Sequence, residues 1–182
     1  MEYIVSSRVL PRILSKGAPM APRSILYLTV EGVLIPRTAA SIPERGARWS
    51  LHDDSSHLRQ LTEILAENAH IAVVLHSVLV PRVGFRTIVQ TFPGQLRSRI
   101  VGATVPGNRV IRKSRLDKHT NRYSWLSEDV SRRDPRQVTV LEGDARCVPV
   151  PLRERAVIVS AGLWAASRAD WTRLRDLLTS SI

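Results

Sequence analysis

The sequence is poor in cysteine, in lysine and in long apolar runs. Its one cysteine, Cys147, allows no internal disulfide and fits a reducing, cytoplasmic compartment. Its neighbours Val148 and Pro149 mark it as a small packing residue rather than a nucleophile. No apolar run approaches the roughly 20 residues that a membrane span needs, so no membrane partner is expected. Of the 27 basic residues only Lys16, Lys113 and Lys118 are lysine; the rest are arginine. Set against 16 acids, they give a net charge of +11. Such a surface attracts polyanions at low salt. The arginine excess favours phosphate and carboxylate recognition, and a coding bias would produce it equally.

The 182 residues, 43% of them hydrophobic, predict one globular domain with a real core. Residues 1–23 carry Arg8, Arg12, Lys16 and Arg23 against Glu2, with Pro11, Pro19 and Pro22. No small-residue cleavage pattern follows a long apolar region there, so this segment reads as a flexible basic tail. Without it the charge is still +8, so the basic character belongs mostly to residues 24–182.

The chain is organised around Ser24–Arg37, SILYLTVEGVLIPR. Ile25–Leu28 is an apolar run of the kind that forms a strand buried on both faces of a parallel sheet. Thr29-Val30-Glu31-Gly32 then supplies a polar residue, a spacer, an acid and a glycine where that strand ends. Ligands of open α/β sheets bind outside the carboxyl ends of the strands. The bland reading is a core strand followed by a turn.

This pattern resembles the first motif of the haloacid dehalogenase (HAD) superfamily, Asp-x-Asp-Gly-Val/Thr-Leu. There the first Asp is nucleophile and magnesium ligand, and the second is the general acid/base. The resemblance puts Thr29 at the nucleophile position and Glu31 at the acid/base position. Glu31 is a plausible stand-in. A threonine hydroxyl supplies neither a carboxylate nucleophile nor charge for a metal.

Further along, Pro36, Pro43 and Gly46 mark a loop between Ile35 and Asp54, too short for a large cap. Asp54-Ser55-Ser56 offers helix N-caps, and Leu58, Leu61, Ile64 and Leu65 recur at helical spacing up to a stop at Asn68. Ile71–Leu75 reads as a second buried strand ending in His76-Ser77. The second motif of the resembled family is a Ser or Thr at a strand tip that binds the transferred phosphoryl group. Ser77 fits it, with His76 as a neighbour or alternative, and a structural role for His76 is at least as good a reading. Val83, Phe85, Ile88, Val89 and Phe92 predict one helix, closed by Pro93-Gly94. Arg99–Thr104 reads as a strand and turn, and its phrase Arg-Ile-Val-Gly-Ala-Thr is similar to a bacterial subgroup of small HAD domains, some linked to RNA repair.

Eleven cations fall between Arg97 and Arg136 against four acids, a local balance of +7. The third motif of the family is a Lys or Arg that neutralises phosphate and nucleophile charge, and Lys118 is the candidate, with Arg115 close behind. Most of these cations read as a solvated basic face. A nucleic-acid patch is the alternative, with Tyr123 and Trp125 available to stack on bases, though aromatics at helical spacing are more often core. Gln137–Leu141 is the next strand, and Glu142-Gly143-Asp144 follows it. The resemblance makes Glu142 and Asp144 the metal residues, a Mg²⁺ site that is weak or absent without an Asp at position 29. A final strand is expected over Ala156–Ser160. Ser167 and Asp170 form a capping box, and Trp171, Leu174, Leu177 and Leu178 form the apolar face of a closing helix.

Strands alternating with helices predict an α/β fold. The resemblance, over roughly residues 24–178, implies a Rossmann-like three-layer sandwich with a mainly parallel sheet. It implies a relative of magnesium-dependent phosphatases, impaired at Thr29. Two alternatives stand beside it: an active phosphohydrolase with an altered site, and a basic nucleic-acid-binding module. The implied partners are a phosphorylated small molecule or a nucleic-acid end.

Overall fold

A computed structural model of the chain describes residues 24–36, 55–105 and 122–180. The basic tail, most of the 35–54 loop, and Arg115 and Lys118 of the basic segment lie outside the described residues.

Five strands form one parallel sheet: β1 (Ser24–Leu28), β2 (Ile71–Leu75), β3 (Ile100–Ala103), β4 (Gln137–Glu142) and β5 (Ala156–Ile158). Their order is β3-β2-β1-β4-β5, with every neighbouring pair parallel. The first expected strand is therefore the centre of the sheet. All five of its residues are buried, as a strand covered on both faces requires.

Side chains alternate between two cores because successive strand residues point to opposite faces. Leu26, Leu28, Val73, Leu75, Leu141 and Val157 face one layer, built mainly from α1 (Ser56–Glu67) and the C-terminal helix (Arg168–Thr179). Ile25, Tyr27, Val74, Val140 and Ala156 face the other, where they meet Leu126 of the helix Arg122–Arg133 and Val148. The result is a three-layer α/β sandwich of Rossmann-like form.

Between β2 and β3 the single helix expected over 83–92 is two: α2 (Val80–Val83) and α3 (Phe85–Gln90), followed by the one-turn α4 (Gly94–Arg97). Gly84 separates them at φ +94°, a conformation no helix contains. The apolar period runs through Gly84, but the backbone does not. Of the later helices, α5 is Arg122–Arg133 and α6 is Arg168–Thr179. The Ser167–Asp170 capping box is present at the start of α6. Ser55 is the N-cap of α1, but its side chain makes no capping hydrogen bond. Strand β5 ends at Ile158, short of Ser160.

On the α5 side, Asp129 is buried and paired with Arg132 and with Arg133, the latter at 2.6 Å. The Arg133 guanidinium lies where a Cβ on Gly102 of β3 would stand, 2.7 Å away. Arg133 thus ties α5 to the sheet edge rather than serving a solvated face. Trp125 is buried and Tyr123 is exposed, so of the two aromatics only Trp125 belongs to the core.

Candidate functional site

The strand order reverses beside β1: β2 and β3 follow on one side, β4 and β5 on the other. That switch point is where a parallel sheet opens a crevice at its carboxyl end. The backbone ladder continues past the strands into it. Thr29 N–H donates to Leu141 O at 3.1 Å, His76 N–H to Leu28 O at 2.9 Å, Thr104 N–H to Leu75 O at 3.0 Å, and Val159 N–H to Glu142 O at 2.9 Å. Four polar side chains are thereby fixed at one end of the sheet by main-chain bonds.

After β1 the chain turns tightly. Gly32 has φ +79°, a left-handed value that favours glycine, and its N–H donates to Ile35 O at 2.6 Å. Leu163 N–H donates to Val33 O at 2.9 Å and anchors the turn. Gly143 abuts it. A Cβ at position 143 would lie 2.8 Å from the Gly32 carbonyl oxygen, so only glycine lets the segments after β1 and β4 come this close.

This packing brings Thr29, Glu31, Ser77 and Glu142 together. The Thr29 hydroxyl donates to Glu142 Oε2 at 2.6 Å. The Ser77 hydroxyl donates to Glu31 Oε2 at 2.5 Å and accepts from Leu79 N–H at 3.1 Å. Val78 N–H donates to Glu31 Oε1 at 2.9 Å. Glu142 Oε1 accepts from the N–H groups of Gly143 at 2.8 Å and Asp144 at 3.2 Å. All four side chains are buried. The Asp144 carboxylate caps the next turn, Ala145–Cys147, where it accepts from Arg146 N–H at 3.0 Å and pairs with its guanidinium at 2.8 Å.

Sequence reasoning did not single out one cation that, among the described residues, reaches the site. Arg122, the first residue of α5, places Nη1 3.3 Å from Glu31 Oε1 and Nη2 3.2 Å from Glu142 Oε1. It was one of eleven cations in the basic segment, while Lys118 lies outside the described residues. A signal was available. Arg122 precedes the buried Trp125 and Leu126 by three and four residues, which puts it on the inward face of a helix.

The electrostatics follow from burial. Desolvation pushes the Glu142 carboxyl up, against the pull of Arg122, the Thr29 hydroxyl and Gly143 N–H. Burial works against the Arg122 charge too, but Glu142 and Glu31 outweigh it and hold the guanidinium protonated. Burial, with the Arg122 charge adding to it, brings His76 down to about 3, so its imidazole is neutral. His76 Nδ1 lies 3.2 Å from Thr104 Oγ1, and Nε2 lies 3.7 Å from Glu142 Oε2 with no hydrogen-bond partner. Cys147 is half-buried beside Arg122, and burial raises its thiol pKa.

Residues 25–166 match the family described as the HAD domain in Swiss Army Knife RNA repair proteins. The chain belongs to this family. No match is found among curated proteins or among solved structures. HAD domains are commonly magnesium-dependent, so the fit of that ion is a question for these side chains. Here a guanidinium bridges the Glu31 and Glu142 carboxylates, and the side chain that follows β1 is the neutral Thr29 hydroxyl, already bonded to Glu142. Among the described residues no group of three or more His, Cys, Asp or Glu is arranged to hold a metal. The groups present in this HAD domain do not fit Mg²⁺.

Proposed function

We propose that this HAD domain is a catalytically impaired relative of the magnesium-dependent phosphatases, kept for binding a phosphorylated ligand, of which a nucleic-acid end is the best candidate. One observation carries the reading: the hydroxyl of Thr29, the residue that the resemblance puts at the nucleophile position, donates a hydrogen bond to Glu142 Oε2 at 2.6 Å. A HAD phosphatase attacks phosphorus with a carboxylate, passes through an aspartyl-phosphate and relies on Mg²⁺ to offset charge. Thr29 closes that path. The Ser77 hydroxyl, the phosphoryl-binding group of the resembled motif, is likewise spent on Glu31. Loss of a nucleophile costs on the order of 10⁶ in turnover in a hydrolase of another class.

The ligand class rests on charge and on the family. The chain carries +11, with a local +7 between Arg97 and Arg136, and its family is named for RNA repair proteins. Electrostatic attraction to the phosphate backbone predicts binding that weakens steeply as salt rises.

The test uses the full chain and its Thr29→Asp variant. Mg²⁺ binding is measured by calorimetry, with phosphate-ester turnover read in the same samples. Wild type is expected to show neither, and Thr29→Asp to gain metal binding. Mg²⁺-dependent turnover by wild type would overturn the reading. RNA oligonucleotides with phosphate or hydroxyl ends, titrated at several salt concentrations, test the ligand. Equal affinity for both ends would leave a backbone-binding module and remove the end-recognition claim.

A further inference from the structure

A half-open tryptophan stands at the same end of the sheet as the polar cleft. Trp164 lies in the short turn Leu163–Ala165 that follows β5. Its neighbour Leu163 is buried and donates its N–H to Val33 O at 2.9 Å, two residues past Glu31. The Trp164 ring also meets His57, in the first turn of α1, with centroids 6.2 Å apart and planes at 70°. A helix that crosses between parallel strands runs back against them, so the first turn of α1 lies at the carboxyl end of the sheet.

The indole is held in place and still exposed. A Cβ on Gly162 would overlap Cη2, Cζ2 and Cζ3 of Trp164, at nearly the same distance from each. Near-equal distances to three adjacent ring atoms put that point over the ring rather than beyond its edge, so one face of the indole lies on Gly162. Gly162 has φ +90°, which glycine adopts without strain. Trp164 is nevertheless 45% exposed. A ring fixed in this way loses little rotamer freedom when a flat ligand covers it.

Charge selects the occupant. Arg59 in the first turn of α1 and Arg168 at the start of α6 are exposed. Neither serves its helix, because a cation at a helix start opposes the dipole. Together with the net charge of +11 they favour a polyanion. A polyanion whose units also carry a flat apolar face is a nucleic acid. Of the two aromatics that the sequence offered for stacking, Trp125 is buried.

We propose that Trp164 is the stacking platform for the base at a nucleic-acid end bound across the carboxyl end of the sheet. This rests on the reading of the ligand as a nucleic-acid end. It adds a contact to the base, which the charged groups of the cleft do not supply.

The test uses wild type, Trp164→Phe, Trp164→Ala and Tyr123→Ala as full chains. The probes are a short single-stranded RNA with a terminal phosphate at the end that binds more tightly, and the same RNA with that terminal nucleotide made abasic. Affinities are read by fluorescence anisotropy at one salt concentration, and folding by thermal midpoint. Wild type is expected to bind the abasic RNA about tenfold more weakly than the intact one. Trp164→Ala should bind both RNAs equally, at the affinity of wild type for the abasic one. Trp164→Phe keeps a ring and should retain part of the discrimination, and Tyr123→Ala should retain all of it.

Equal affinity of wild type for the two RNAs would overturn the proposal without recourse to any variant. So would a folded Trp164→Ala that still prefers the intact RNA, or one that loses the same factor for both. Should Trp164→Ala not fold, Trp164→Leu, which covers Gly162 without a ring, replaces it under the same criteria. A wild type that binds neither RNA would overturn the proposal together with the ligand reading on which it rests. Equal affinity for phosphate and hydroxyl ends, with the Trp164-dependent discrimination present, would remove end recognition by phosphate and leave the stacking platform standing.

Discussion

Thr29 and Glu142 are 113 residues apart in sequence and 2.6 Å apart in the fold, hydroxyl to carboxylate, at the adjacent ends of β1 and β4. The bond consumes the only proton the Thr29 side chain has to give. It also holds one oxygen of a carboxylate whose other oxygen faces Arg122. The hydroxyl that follows β1 is thus tied to the carboxylate at the end of β4.

Replacing Thr29 by Val keeps its shape and removes this donor. A hydrogen bond to a charged group is worth about 1.5–3 kcal/mol, so Thr29→Val should lose roughly 2 kcal/mol in urea unfolding. Thr29→Ser, which retains the hydroxyl, should lose less. Equal losses in both variants would show that the methyl group's packing outweighs the hydrogen bond.

His76 gives the domain an acid sensitivity with a defined sign. Its folded pKa is lowered from 6.5 to about 3, so the unfolded chain binds more protons between these values. This contribution is complete above pH 6.5 and is lost as the pH falls toward 3. Between pH 7 and pH 5 the loss is about 2 kcal/mol. Glu142, with its folded pKa raised, has the opposite sign: its share is present at low pH and declines as the pH rises through the folded value. Denaturant melts at pH 5 and 7 should show a smaller difference in His76→Asn than in wild type. An unchanged difference would assign the acid sensitivity to another group.

Arg133 should behave as a structural cation. It closes the buried carboxylate of Asp129 at 2.6 Å and packs over Gly102. Breaking a buried pair by removing one partner costs about 3–5 kcal/mol, and Arg132 also contacts Asp129, so Arg133→Ala should fall at the lower end. The same variant should leave the salt dependence of RNA binding unchanged. A shallower salt slope would instead place Arg133 among the phosphate-contacting residues.

Much of the fold was written in local sequence. The apolar runs at 25–28, 71–75 and 137–141 mark strands, the 58–65 period marks α1, and Ser167 with Asp170 marks the start of α6. These signals are local because burial on both faces, or on one helical stripe, imposes its period on neighbouring residues. The same logic put Thr29, His76 with Ser77, and Glu142 at strand tips. It failed at Gly84, where a single positive φ divides an unbroken apolar period into two helices.

By itself the sequence determined which polar residues end the strands, that the one after β1 is the neutral hydroxyl of Thr29, and that the chain is strongly basic. Only the tertiary structure decided which of those residues meet. The order β3-β2-β1-β4-β5 sets β4 beside β1, so Glu142 reaches Thr29, and β2 on the other side, so Ser77 reaches Glu31. It also brought Arg122 to Glu31 and Glu142. The reason is physical. A strand or helix period reports whether a side chain is buried, whereas the partner of a buried charge is set by long-range packing, which no local pattern encodes.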